Sequence, residues 1–585
     1  MTNLFSSRRI MILILLFLAS VMLFIPVGSS LGYAEIYIIV PDDYSSIQSA
    51  IYAAPEGSTI LVKPGRYYEQ IKVTKPLRII SYGNNTVIEN LSGSKTVEIV
   101  RGVNNVVFAN FLINSSGVAS TGLYVGGQNC RIENNTIVGH KIGLCMYDSS
   151  GNVLRNNHMF NNDLNLKVWG LFLSHFVHDI DDSNTVDGKK IYYLVNKMGV
   201  NVPSEAGYIG VVNSTNVTIE NVSLIHNYSG ILLAYTSDSV VRGASCSFNE
   251  EGLRLVFSRN VSILHSDFRL NSWSGISLIG SSNNIIINNT ICQNRNGLLL
   301  SYSELSSLRS IRNWIYDNRI SENSNAFYFD GAANNYVQNN LIKMNGIALY
   351  VYASQDNIFS GNNFQDNIQY GVYAVLSSYN KFWHNNFVGS NSCNVYAQNS
   401  VCFWSNDELS CGNYWSIQLH WDQNNDGVND NQYIIDSQNI DNFPLAYPIV
   451  ASYAFKLNEK LFSVDLSGNL TLSYFGFDPV SQLIKFNITN SENETIFCKI
   501  TFPNSSEFGS ENRWNILMNV MLTNLSIKCL PNFTVVTAVG NKSCKISSIT
   551  IDLISEMPSL SFMFLSFLVS ALVLGIKKAF KRKIF

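Results

Sequence analysis

Residues 335–356 read NYVQNNLIKMNGIALYVYASQD, and residues 357–379 read NIFSGNNFQDNIQYGVYAVLSSY. Each opens on an Asn and runs through a short apolar alternation to a second Asn five residues on, then carries a Gly-containing apolar strand and a polar turn. The first Asn recurs as Asn129, Asn152, Asn216, Asn284, Asn313, Asn335, Asn357 and Asn380. The second recurs as Asn134, Asn157, Asn221, Asn289, Asn318, Asn340, Asn362 and Asn385. From Asn313 the steps are 22, 22 and 23 residues. A period of roughly 20 to 25 residues with several short strands in it belongs to a β-solenoid, whose coils stack at the ~4.8 Å spacing of paired strands. Helical repeats, at ~33 residues or more, do not fit.

The physical reading of the phrase is a scaffold. Ile285, Ile287, Leu298 and Leu300 are expected to point inward and stack into apolar ladders, every strand pairing above and below. Asn suits the bends for two reasons: it tolerates left-handed backbone angles, and its amide can bond the equivalent amide one coil away. Phe327 with Phe329, and Tyr350 with Tyr352, form same-face pairs by alternation. Rings that face outward on a flat sheet are able to contact sugars.

Around this array the chain divides as follows. Residues 35–103 form an N-terminal cap and the first coils, with a helix-like stretch from Ser45 to Ala54 able to plug the cylinder. Residues 104–401 form the repeats, interrupted at 171–213 by a segment without the Asn phrase, read as a projecting hairpin with turn signals at Asp187-Gly188 and Pro203. Residues 402–448 close the cylinder, and 449–555 alternate like the strands of a small β-sandwich stalk. The fold expected is therefore all-β: a right-handed single-stranded parallel β-helix, then the stalk.

The two ends read as targeting and anchoring segments. Arg8 and Arg9 precede an apolar run from Ile10 to Ile25, which makes 1–34 a signal peptide. Residues 558–576 are uncharged and mostly apolar, long enough for one transmembrane helix, and 577–585 form a basic cytoplasmic tail. The region between them is expected outside the cell, at its surface. Sequons at Asn114, Asn213, Asn216, Asn227, Asn288, Asn487, Asn504 and Asn532 fit that placement. With 14% charged residues and a formal net charge of -3, the chain offers no basic surface for nucleic acid. Of its 10 cysteines, Cys393, Cys402 and Cys411 form one group and Cys498, Cys529 and Cys544 another, each expected to hold one disulfide. Cys130, Cys145, Cys246 and Cys292 are expected to pack inside the array.

Three segments carry a family resemblance. The opening STILVKPGRYYEQIKVTKPLRIIS (58–81), the interruption HDIDDSNTVDGKKIYYLVNKMGVNVPSEAGYIGVVN (178–213) and the closing GNYWSIQLHWDQNNDGVNDNQYIIDSQNIDNFPLAYP (412–448) resemble NosD-type proteins, exported β-helices of the carbohydrate-binding and sugar-hydrolase repeat class. The resemblance implies a pectin-lyase-like β-helix. It leaves activity open, because that class includes lyases, hydrolases, epimerases and copper-site maturation factors. The QDTL, DFIFG and GRPW segments of pectin methylesterases and the NTD and RIK motifs of polygalacturonases are missing.

Candidate chemistry falls at three places. Asp422, Asn424, Asp426, Val428 and Asp430 alternate oxygen donors around Gly427, like the first half of a calcium loop, with Tyr433 where an EF-hand has its final Glu. A metal-free Asn/Asp turn fits the same pattern. His175 and His178 are the copper candidates that the family name suggests, against the alternative of histidines bonded to loop backbone. Asp179, Asp181 and Asp182 are the clustered carboxylates a polysaccharide-cleaving enzyme would need. Glu250 and Glu251 beside Arg254 read as solvated charge. The leading expectation is a non-catalytic surface protein that binds polysaccharide or another envelope glycan. A polysaccharide-modifying enzyme and a copper-handling accessory protein are the alternatives.

Overall fold

The computed structural model describes residues 37–555 except 84, 91–92, 116–120, 304–306, 390, 408–409, 425, 458–459, 469–470, 479–482, 490–495, 504–511, 519–521, 530–532 and 541–548. The signal peptide, membrane span and basic tail expected at the two ends lie outside the described residues. Among those described, no helix is long and apolar enough to cross a membrane.

The chain winds into a parallel β-helix whose backbone is a 16-stranded sheet running from Gly65–Tyr67 to Val395–Gln398. Each later coil has two three-residue strands and one six-residue strand, as in Tyr336–Gln338, Leu341–Lys343 and Ile347–Tyr352. In a three-residue strand the middle side chain alone faces the core, because successive residues alternate. Ile286 is therefore inside with no exposure, while Ile285 and Ile287 face outward and are half-buried, the reverse of their expected direction. Leu298 and Leu300 do stack inward, as do Phe327 and Phe329. Tyr350 and Tyr352 face out.

The two tasks expected of each Asn are divided between neighbours. In the pairs Asn283-Asn284, Asn288-Asn289, Asn334-Asn335 and Asn339-Asn340 the first residue takes the left-handed angle, with φ of 57, 54, 54 and 54°. The second is buried and builds the ladder: Asn335 Nδ2 donates to Asn357 Oδ1 at 2.9 Å, and Asn340 Nδ2 to Asn362 Oδ1 at 2.9 Å. Asn129, Asn134, Asn216 and Asn221 are left-handed residues, outside the ladders. A third ladder, through Asn294, Asn323, Asn345 and Asn367, turns the remaining corner with bonds of 3.1, 3.0 and 3.1 Å.

At the start, the helix Ile47–Ala53 plugs the cylinder as expected. Ser46 Oγ accepts from Ser49 N at 3.1 Å, and the Glu69 carboxylate accepts from Ile47 N and Gln48 N at 3.0 and 2.9 Å, satisfying the helix's free amides. Ile47, Ala50 and Ile51 are buried in the first core.

The interruption at 171–213 does not stand off the solenoid. It is the joint between two β-helical segments. Strands Thr185–Val186 and Lys189–Val195 form the hairpin that Asp187-Gly188 predicts, both turn residues at positive φ (48 and 78°). That hairpin lies within the 16-stranded sheet and puts one antiparallel step into it. The long strands of the first segment (Lys95–Ile99, Thr121–Val125, Ile142–Tyr147 and Leu164–Trp169) end there. Those of the second begin in the other sheet. Leu232, Ala234 and Val256, on the outside of the second segment, are buried in the first segment's core cluster, and Tyr235 Oη donates to Leu171 O at 3.1 Å. The interruption's own Phe176, Ile180, Val186, Ile191, Tyr193 and Tyr208 are buried in that same cluster, so it packs into the solenoid and does not project.

At the far end aromatic columns close the cylinder. Phe359, Phe382 and Trp404 stack at 4.8 and 4.4 Å, and Phe364, Phe387, Trp415 and Tyr433 at 4.8, 4.3 and 4.1 Å. One Asn ladder ends on Asp441, whose carboxylate accepts from Asn413 N and Trp415 Nε1 at 2.8 and 2.9 Å. Cys393, Cys402 and Cys411 are free and buried, so the disulfide expected among them is not formed. Cys393 Sγ donates to Phe387 O, earlier in its own coil, and Cys402 Sγ to Ser377 O of the coil beneath. Of the four cysteines expected inside the array, Cys292 faces outward, and Cys130, Cys145 and Cys246 are buried. Beyond the cap, 449–555 carry two antiparallel sheets of five and four strands. His384 Nδ1 meets Asp465 Oδ2 at 2.6 Å, both buried, and joins the β-helix to the first of those sheets.

Candidate functional site on the outer face of the long strands

Parallel pairing in register turns one outward position into a column along the sheet. In the second segment that column reads Leu232, Arg254, Ser277, Leu299, Tyr328, Tyr350, Tyr373 and Tyr396. Its four tyrosines stack with centroids 4.8, 5.1 and 4.7 Å apart and planes within 2, 13 and 19°. Their ring faces cover one another, so the edges and phenol hydroxyls meet solvent. Ser301, Asp330 and Tyr352 flank the column on one side, and Asn296, Asn325 and Tyr370 on the other. Tyr370 also lines a recess of about 290 Å³ with Cys393, Asn394, Tyr433 and Ile434. The result is a strip in which a phenol hydroxyl repeats at the coil spacing from Tyr328 to Tyr396, with Ile347 and Val375 interrupting the polar groups on its two flanks.

The first segment carries its own outer aromatics. Tyr147 and Trp169 stack at 4.6 Å, Tyr124 lies 6.4 Å from Tyr147, and Lys95 Nζ sits 3.9 Å above the Tyr124 ring. The two faces run together at the joint, where Asn165 N donates to His226 O at 2.5 Å and Tyr228 N to Leu166 O at 3.1 Å. There Arg254 and Glu251 are buried, with 4% and 3% of their side chains exposed, and pair at 3.2 Å. Glu251 also accepts from Ser277 Oγ at 2.8 Å. The reading of this pair as solvated charge is thus corrected: the first segment packs over it, and only the joint makes that so. Burial holds the neighbouring Glu250 carboxyl above its ordinary range, against the pull of Lys167.

The residues singled out in the sequence lie elsewhere. Asp179 and Asp181 share Arg155, the second contact at 3.1 Å, and Asp182 pairs with Lys190 at 2.8 Å. The hydrogen bond from Lys190 holds the Asp182 carboxyl below its ordinary value, which is the wrong direction for a general acid. His178 replaces an Asn in a corner ladder: Asn152 N donates to its Nδ1 at 3.3 Å, and its Nε2 meets His175 O at 3.0 Å. His175 Nδ1 lies 3.3 Å from Asp148 Oδ1. With both ring nitrogens of His178 engaged and the ring buried, the pair does not fit copper. In the cap loop, Asp426 N bonds Asp422 Oδ1 and Asn424 Oδ1 at 3.1 and 2.9 Å, Gly427 N bonds Asp422 Oδ2 at 2.9 Å, and Val428 N bonds Asp426 Oδ1 at 2.8 Å. Asp430 Oδ2 accepts from Gln423 N at 2.9 Å. These oxygens turn toward the loop's own amides, and among the described residues no three His, Cys, Asp or Glu side chains converge as metal ligands.

Of the sequons, Asn213, Asn216 and Asn288 are exposed and Asn114 is half-buried. Asn227 is fully buried in the third ladder, where its Nδ2 donates to Gly207 O and Ile225 O at 2.9 and 2.8 Å. It is corrected to a scaffold position. Nothing is described of the Asn487 side chain, and Asn504 and Asn532 lie outside the described residues. Sequence reasoning did single out Tyr350 and Tyr352. It missed Tyr328, Tyr373 and Tyr396, which recur at the repeat's period and would have been found by aligning the coils on their glycines and asparagines.

Parts of this chain are similar to several known proteins. Residues 182–311 and 305–418 match the NosD family model, described as periplasmic copper-binding protein (NosD). A probable ABC transporter binding protein NosD of Stutzerimonas stutzeri is 36% identical over 106 residues, 18% of this chain and 23% of that protein. Its Pseudomonas aeruginosa counterpart is 35% identical over 106 residues, 18% of this chain and 24% of that protein. The matched stretch thus spans about a quarter of these curated relatives. Among solved structures, the A-module of an Azotobacter vinelandii mannuronan C-5 epimerase covers 62% of this chain and 91% of its own, at 16% identity and a TM-score of 0.25. A periplasmic alginate epimerase covers 63% of this chain and 85% of its own, at 15% identity and a TM-score of 0.28.

Proposed function

We propose that this chain, a NosD-type parallel β-helix protein, binds an extended carbohydrate along the outer face of its long strands and carries out no chemistry on it. The observation that supports this reading is the tyrosine column Tyr328, Tyr350, Tyr373 and Tyr396. A polymer of hydroxylated units laid along the β-helix axis would meet one phenol hydroxyl per coil, each able to donate and accept. The rings are stacked before any ligand arrives, so little side-chain freedom is lost on binding. The protein acts in this proposal as an exported receptor at the cell surface, with 449–555 as stalk and 558–576 as anchor.

The test is to incubate the full-length protein with acidic and neutral polysaccharides and envelope glycans, following retention and soluble products by mass spectrometry. The double substitution Tyr350→Phe, Tyr373→Phe keeps the stack and removes two hydroxyls. Retention should weaken about tenfold, or about 1.4 kcal/mol, with the melting temperature unchanged. Equal retention by both proteins would remove the column from the binding face.

An enzymatic reading has one observation in its favour, the raised Glu250 carboxyl beside Lys167 and the Arg254–Glu251 pair. Soluble oligosaccharides made by the native protein and absent with Glu250→Gln would replace the binding proposal with that one. Copper handling, the role in the family description, finds no ligand set in His175 and His178, and no step through copper is derived.

A further inference from the structure

The joint between the two β-helical segments gathers charged side chains of both signs. Lys141, Lys167 and Arg254 lie on or beside it with Glu250 and Glu251, and Asp187 lies at its edge, accepting from Asn165 Nδ2 at 2.9 Å and facing His226 Nδ1 at 3.2 Å. Lys167 makes no ion pair among the described residues. Its Nζ sits 3.9 Å above the Tyr228 ring and 6.0 Å from that of Tyr147, and it acts on the Glu250 carboxylate through space without bonding to it. Beneath it the Arg254 guanidinium lies 5.7 Å from the Trp169 ring and 5.8 Å from Tyr228, bonded to Glu251, with its buried Nε lacking any hydrogen-bond partner.

We propose that the joint binds the anionic substituent, a carboxylate or a sulfate, of the glycan lying along the outer face. Lys167 contacts the anion and Arg254 raises the local positive potential from below. This inference rests on the carbohydrate reading and adds to it the charge of the ligand and the point where that charge is read. The joint lies beyond one end of the tyrosine column, past Leu299 and Ser277, so it fixes the register of a polymer that would otherwise slide by one coil.

The experiment is affinity electrophoresis of the full-length protein in three polymers of like backbone: neutral, carboxylated and sulfated. Native protein should bind one or both charged polymers more tightly than the neutral one, and raised salt should remove the difference. The carboxylated and sulfated arms show which anion is preferred. Lys167→Gln should weaken binding to the charged polymer about tenfold, the loss of one charge-assisted contact, and leave the neutral polymer unaffected. Lys167→Arg should restore it. Arg254→Lys, which keeps the charge inside the joint, checks the buried position if larger changes there unfold the protein. Equal binding of neutral and charged polymers, or a Lys167→Gln effect common to both, would overturn the anion site and leave the carbohydrate reading standing. Retention of no polymer would remove both.

Discussion

The two β-helical segments turn one of their corners with different side chains. In the second, Asn follows Asn there coil after coil: Asn335 Nδ2 reaches Ser310 O, Ala333 O and Asn357 Oδ1, and its own Oδ1 accepts from Asn313. In the first, the ladder passes from Cys130 to Asn152 to His178, and Asn152 Nδ2 reaches only Ser149 Oγ. A continuous amide ladder satisfies every corner group with one residue type, whereas a mixed one assembles each corner separately. The contrast teaches where the fold depends on its repeat and where it depends on individual packing.

The largest effect should come from breaking the continuous ladder. Asn335→Ala leaves several buried donors and acceptors unmet and should cost about 3 kcal/mol or more. Asn152→Ala should cost about 1 kcal/mol. Urea midpoints of the two variants measure the difference, and equal midpoints would end the distinction.

The next effect is opposite in sign at the two ends. Burial pushes the His140 and His178 imidazoles down to about 4 from an ordinary 6.5. Between those values the unfolded state binds the more protons, so the first segment loses stability as pH falls from 6.5 to 4. Burial pushes the Asp441 carboxyl up to about 7 from 3.8. There the folded state binds the more protons, so the cap loses stability as pH rises from 3.8 to 7. At His384 burial acts downward, but Cys411 and Asp465 outweigh it and hold the imidazole up to about 10, so that contribution fades as pH rises from 6.5 to 10. Hydrogen exchange resolved by segment at pH 5 and 7 should show the first segment less protected, and the cap more protected, at the lower pH. His178→Asn and Asp441→Asn should each flatten the response of its own segment alone.

The smallest effect concerns the thiols. Cys393, Cys402 and Cys411 are unpaired, so reducing agent should leave the cap's melting unchanged. All three should label after unfolding under non-reducing conditions. A mass showing any of them oxidised in the purified protein would restore the disulfide expected from their spacing.

The carboxylates and histidines that the sequence offered as chemistry make structural contacts that a linear reading could not supply. Asp179, Asp181 and Asp182 meet Arg155 and Lys190, one of them in a different coil and the other across the hairpin. His178 occupies a corner that Asn fills one coil earlier, which its neighbours in sequence do not reveal. Tyr350 and Tyr352 were legible as a pair, since alternation is local, but alternation is symmetric and does not say which side is wet.

The sequence by itself determined the solenoid, its period, the plugging helix, the Asp187-Gly188 turn and the corners. Each of these follows from a backbone requirement met within a few residues and repeated at a fixed interval: the left-handed angle, the alternation of a short strand, the positive φ of a tight turn. Only the tertiary structure decided that 171–213 is a joint rather than a projection, that Asn227 is scaffold, and that Glu251 and Arg254 are buried. Those outcomes depend on which surfaces meet when the second segment packs on the first, and burial belongs to the pair of surfaces, not to either stretch of chain.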